Sequence, residues 1–173
     1  MRLFLLILLV WGTSVEALTY TTSFSEKELQ TRLLKMMPIE KSKFMGSVKL
    51  HNSVLDLRTS NNRLTLTIDI AVTAIGGIKG NGQATVNSGI RYAKKEGAFY
   101  LDEPKLVAFE INEVPSKLHA RVEDTVQALL AKALEKRPVY RLDDKDIKQK
   151  LVKSTLKEIR IEDQYLFVDF SLF

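Results

Sequence analysis

The sequence predicts an α+β domain: an antiparallel β-sheet meander with a long helix across its dry face, a shorter helix before it and a β-hairpin after it. Three observations predict this arrangement. Apolar and polar residues alternate in successive short runs between Val48 and Ile111. A period of 3.6 takes over from Leu118 to Leu134. Two last alternating runs, from Leu156 and from Tyr165, face each other across Glu162-Asp163-Gln164.

The chain opens with Arg2, the unbroken apolar run Leu3 to Trp11, and Val15-Glu16-Ala17, which puts small or modest side chains at the cleavage-site positions. These are the parts of a secretory signal peptide over residues 1–17, cut after Ala17, with one domain expected over 18–173. The apolar run is roughly half the ~20 residues that cross a hydrocarbon core, so no permanent membrane span is expected. The sequence has no cysteine. A lipid-anchoring cysteine at the cleavage site, a disulfide framework and Cys-ligated zinc are thereby excluded. The exported domain must hold together by its core, and chains near ~150 residues bury roughly 70% of their unfolded surface.

Phe24-Ser25-Glu26-Lys27-Glu28-Leu29 predicts a helix start. Ser25 caps, Glu28 reaches back to complete a capping box, and Phe24 and Leu29 are spaced as a hydrophobic staple. The stripe Leu29, Leu33, Met36 and Met37 carries this helix to about Met37, where Pro38 stops it. From Phe44 the period falls to two. Val48 and Leu50, then Leu55 and Leu57, share a face, and the slip of phase at Asn52-Ser53 predicts a bulge.

After a turn at Asn61-Asn62, Leu64, Leu66, Ile68, Ile70, Val72 and Ala74 give the cleanest strand. Gly76-Gly77 turn the chain, and Ala84, Val86, Ser88, Ile90 and Tyr92 continue to a turn at Lys94 to Gly97. Phe99 and Leu101 predict a short strand ended by Pro104; Val107, Phe109 and Ile111 predict the next. Such a run of strands and short turns is a meander with one wet face.

Pro115 sits where the first turn of a helix tolerates proline. Leu118, Val122, Val126, Leu129, Leu130, Ala133 and Leu134 then form a broad stripe, with Arg121, Glu123 and Asp124 mostly off it. Pro138 breaks this helix before a short extended piece, Val139 to Leu142. Asp143-Asp144 predicts a cap on a short helix carrying Ile147, Leu151 and Val152, and the final hairpin follows.

Residues that carry chemistry are few. The net charge is +5, and the basic residues are scattered and mixed with acids. A nucleic-acid binder concentrates them with exposed aromatics, so no nucleic-acid partner is expected. His51 and His119 are the only histidines, neither in a metal-ligand spacing, and no G-x-S-x-G elbow exists. Asp143, Asp144 and Asp146 lack the alternating ligands of a calcium loop and fit a helix N-terminus. Gly76 to Gly82 is flanked by strands on both sides, whereas a phosphate loop leads into a helix, so a hairpin turn is the better reading. Neither catalytic residues nor a cofactor or metal are expected.

The order of elements is familiar. Tyr20-Thr21 to Glu28-Leu29, Gly97-Ala98-Phe99-Tyr100-Leu101 and Arg137-Pro138-Val139-Tyr140-Arg141-Leu142 carry a resemblance to the YceB-like family of Gram-negative envelope proteins. The resemblance implies a fold similar to one half of the tubular lipid-binding proteins, the group containing bactericidal/permeability-increasing protein. In that fold a strongly curved antiparallel sheet is wrapped around a long helix. It also implies a periplasmic address, and it supplies no catalytic or binding residues. Members of the family are lipoproteins with a cysteine at the cleavage site. Ala17-Leu18 stands there in this chain, which implies a freely diffusing protein.

The expected function is a non-enzymatic periplasmic protein that binds a lipid or other hydrophobic small molecule between sheet and long helix. A filled core and a tunnel for an acyl chain share the same sequence pattern. The tunnel would be lined by Leu66, Ile68, Ile70, Val86 and Ile90 from the sheet and by Leu118, Val122, Val126, Leu129 and Leu130 from the helix. One alternative is an envelope interaction module with a fully packed core, for which a Tyr165 to Phe173 edge strand would suit strand addition. A weaker one is a hydrolase with His51 or His119 beside a carboxylate and a serine.

Overall fold

Period-two patterning becomes two antiparallel sheets, and period-3.6 patterning two helices, in the computed structural model, which describes residues 19–43, 46–58, 62–134, 136–142, 145 and 155–171. The described elements run β1 (Thr19–Ser25), α1 (Glu26–Leu34), β2 (Ile39–Lys43), β3 (Gly46–Asp56), β4 (Leu64–Ala74), β5 (Lys79–Ala93), β6 (Ala98–Asn112), α2 (Ser116–Leu134), β7 (Tyr140–Arg141), β8 (Leu156–Glu162) and β9 (Tyr165–Ser171). The large sheet has the order β2-β3-β4-β5-β6-β7 and the small one β1-β9-β8. The expected signal peptide and, apart from Lys145, the expected helix from Asp143 to Val152 lie outside the described residues.

The start of α1 follows its sequence. The Ser25 backbone N–H and hydroxyl both donate to the Glu28 carboxylate at 2.9 Å, and the Glu28 N–H donates back to Ser25 Oγ at 3.3 Å. Leu29 and Leu33 are buried, and Met36 and Met37 pack against the core beyond the helix end at Leu34.

In β4 the alternation is complete from Leu64 to Val72, each inward residue buried and each outward neighbour half-buried. Burying a Leu, Ile or Val fully is worth ~1.5–3 kcal/mol, so this strand anchors the core. The phase slip in β3 is a bulge, with a register shift between His51 and Val54 and Asn52 at φ 46°.

Pro104 does not end a strand, contrary to the expectation of two. β6 is one 15-residue strand that runs through the proline. Gly89 pairs with Asp102 and Asn87 with Lys105, leaving Glu103 (φ 45°) and Pro104 in a bulge opposite Ser88. A bulge is where a residue without an N–H costs no ladder hydrogen bond. The buried Ser88 hydroxyl lies within bonding distance of the Asp102 and Gly89 carbonyls, at 3.0 and 2.9 Å.

Glycines set the other end of β5. A Cβ at Gly82 would collide with the Glu110 carbonyl, and one at Gly80 with the Asn112 carbonyl and the Val114 side chain. Gly76 and Gly77 make the preceding turn at φ 82° and 77°. The glycine-rich stretch is therefore a hairpin that lets β6 approach closely.

The final hairpin closes through Asp163 and Gln164 at φ 49° and 66°, the left-handed pair that two-residue hairpin turns require. β9 is not an edge. It lies between β8 and an N-terminal strand, β1, so strand addition at Tyr165 to Phe173 is overturned for the described part of that segment. Phe170 reaches across to Tyr92 in an edge-on contact with ring centroids 6.4 Å apart, and Phe24 packs on Tyr140 at 4.6 Å, joining the two sheets. Beneath them, Val126, Leu130 and Leu134 of α2 are fully buried.

Candidate functional site

A cavity of about 380 Å³ opens between the N-terminal half of α2 and the strands β2, β3 and β4. Its size falls within the ~300–1,000 Å³ range of small-ligand pockets. One wall is the hairpin of β3 and β4, where Val48 pairs with Val72, Ser47 with Thr73 and Gly46 with Ala74. The other is α2, through Leu118, Val122, Arg121 and Thr125. Val48, Val72 and Val122 are buried, and Leu118 is half-buried. The strand ends meet closely because Gly46, at φ 135°, presents no Cβ to the Thr73 carbonyl.

β2 adds Lys41. It is the direct cross-strand partner of Val48, and directly paired residues of an antiparallel ladder share a face. Lys41 thus stands on the inward side of the sheet, half-buried, in a row with Val48 and Val72. Arg121 enters from the helix side and is exposed.

Of the ten residues expected to line a tunnel, Leu118 and Val122 line this cavity. Leu66 and Ile90 line a second space of only about 30 Å³. Ile68, Ile70, Val86, Val126, Leu129 and Leu130 lie in the hydrophobic core, all buried. The opening is therefore at one end of the sheet–helix contact, beside Leu118 and Val122, while the inner end of α2 is packed.

Sequence reasoning missed Lys41 because β2 is too short to show its period, and it placed Arg121 off the apolar stripe. The available signal was the spacing Leu118, Arg121, Val122 and Thr125, which puts all four on one helical flank.

The two histidines stand elsewhere. His119 Nε2 lies 2.8 Å from the Val114 carbonyl, at the start of α2. His51 pairs across the outer face of the sheet with Asp69, whose carboxylate accepts from Asn52 and Gln83 at 3.2 Å each. Among the described residues no three His, Asp or Glu side chains are grouped to hold a metal ion. No described helix is long and apolar enough to cross a membrane.

No curated protein matches the chain. Residues 24–164, most of the sequence and all of the walls just described, match the family described as "Protein of unknown function (DUF1439)". The chain belongs to the DUF1439 family.

Proposed function

We propose that the protein is an exported, non-enzymatic binding protein that seats a lipid-like or other hydrophobic small molecule between its sheet and its long helix. The observation that carries this reading is the apolar-walled cavity of about 380 Å³ bounded by Val48, Val72, Leu118 and Val122. α2 touches β6 on one side and β2 and β3 on the other, with β4 and β5 between them. That pattern supports a sheet curved around the helix, as in the YceB-like and tubular lipid-binding folds. The Arg2 to Ala17 segment supports export to a periplasm.

One experiment addresses both halves. The chain is expressed with its own leader in a Gram-negative host, recovered by osmotic shock, purified without detergent and weighed by native mass spectrometry. The expected mass starts at Leu18 and carries a hydrophobic adduct that denaturation releases. An uncleaved or cytoplasmic product overturns the export reading. A clean apo mass that also fails to take up a fluorescent fatty acid overturns the binding reading.

A further inference from the structure

We infer that the ligand of this cavity is a single-chain amphiphile with a negatively charged head, held between Lys41 and Arg121. The inference rests on the binding reading above and adds the class of head group. Three observations carry it. First, Lys41 occupies an inward position of β2, beside Val48, where a buried strand face ordinarily carries an apolar residue. Second, Arg121 faces the same space from α2, so the cations come from opposite walls. Third, no carboxylate lines the cavity among the described residues, and neither cation forms an ion pair with a described residue.

A lysine next to apolar walls lays its methylenes along them and keeps its ammonium toward solvent. The half-buried Lys41 and the exposed Arg121 therefore put their charges where the cavity meets water, with the valines and Leu118 below. An apolar chain fills the lower part. The head meets two cations, one of them a guanidinium that can take a carboxylate or a phosphate through two parallel N–H bonds. Thr125 of α2 borders the same space.

The test uses four ten-carbon probes below their micellar concentrations: decanoate, decyl phosphate, decan-1-ol and decyltrimethylammonium. Binding to the mature chain is measured by isothermal titration calorimetry, in the native protein and in the Lys41→Gln/Arg121→Gln double variant. The native protein is expected to bind an anionic probe about tenfold or more tighter than the cationic one, the scale of a hydrogen bond to a charged group. Preference for decyl phosphate points to a phospholipid-type head, and preference for decanoate to a free fatty acid; either supports the inference. The double variant is expected to lose that preference while still binding decan-1-ol, which also reports that the cavity is intact. Equal binding of all four probes, unchanged by the double variant, overturns the head-group inference and leaves the binding reading standing. No binding of any probe overturns both. Should the double variant fail to fold, Arg121→Gln alone, at an exposed position, carries the same comparison.

Discussion

Gln30 and Gln127 make the same pair of hydrogen bonds at opposite edges of the large sheet. Gln30 of α1 donates to the Ser53 carbonyl and accepts from the Leu55 N–H, both at 2.6 Å. Gln127 of α2 donates to the Pro104 carbonyl at 3.3 Å and accepts from the Leu106 N–H at 3.0 Å. In each case one primary amide spans the carbonyl of residue i and the N–H of residue i+2, as a neighbouring strand would. Each sits at a bulge, where the ladder is already disturbed. Asn62 repeats the device on β8, donating to the Ile159 carbonyl and accepting from the Ile161 N–H. Unpaired strand edges invite pairing with other chains, and these amides close them.

Replacing either glutamine with alanine leaves two backbone groups of a sheet edge without their partner. A polar group left unsatisfied costs ~1–3 kcal/mol, so Gln30→Ala and Gln127→Ala should each lower stability by about that much in urea unfolding. Glutamate is the sharper control. It keeps the acceptor for the N–H but sets a carboxylate against the carbonyl, so it should be no better than alanine at neutral pH. Unchanged midpoints in all four variants would remove the edge-closing role.

Ser53 lies one residue before the exposed Val54 at the β3 bulge, and its hydroxyl is buried without a hydrogen-bond partner among the described residues. Removing a buried, unpartnered polar group relieves its desolvation cost. Ser53→Ala should therefore raise the urea midpoint, by the equivalent of about 1 kcal/mol. A fall would mean that the hydroxyl is satisfied in solution, for which an ordered water is the available partner.

Much of this architecture was legible in the residues. Strand β4, the capping box of α1, the bulge at Asn52-Ser53 and the turn at Gly76-Gly77 each follow from local spacing or local backbone demand. β1 and β2 were not legible for a physical reason. Thr19 to Ser25 alternates only weakly, and its pairing with β9 depends on residues nearly 150 positions away. Pro104 misled because proline forbids a central ladder bond but not a bulge. Half of the candidate site was readable from the stripe holding Leu118 and Val122. Lys41 became visible only through its register with Val48, which no local pattern encodes.

The capping box makes α1 sensitive to acid. Hydrogen bonds from the Ser25 backbone N–H, and next from its hydroxyl, hold the Glu28 carboxyl below the usual carboxylate range. A carboxyl whose folded value is depressed stabilises the fold fully above its unfolded value, and that contribution is lost as pH falls through the folded one. Wild type and Glu28→Gln should therefore differ most in unfolding midpoint near neutral pH and converge in acid. Ser25→Ala should return the Glu28 titration, followed by NMR, towards the ordinary glutamate range. A Glu28 titration that does not move on Ser25→Ala would contradict the assignment.

Val122 and Val126 lie one turn apart on α2, yet one lines the cavity and the other is fully buried in the core. Tryptophan at each position therefore asks different questions. At Val126 the added rings have no room, and overpacking of ~1–3 kcal/mol corresponds to a fall in Tm of about 2–12 °C for a chain of this size. At Val122 the rings can enter the open space, so Val122→Trp should keep Tm within about 4 °C of wild type, the shift expected from 1 kcal/mol or less. The same variant should abolish uptake of a fluorescent fatty acid, because the rings occupy the site. Val126→Trp should retain uptake wherever it remains folded, since its side chain does not border the cavity. An equal loss of stability at both positions would mean that the space beside Val122 closes in solution, and persistent uptake by Val122→Trp would place the ligand elsewhere.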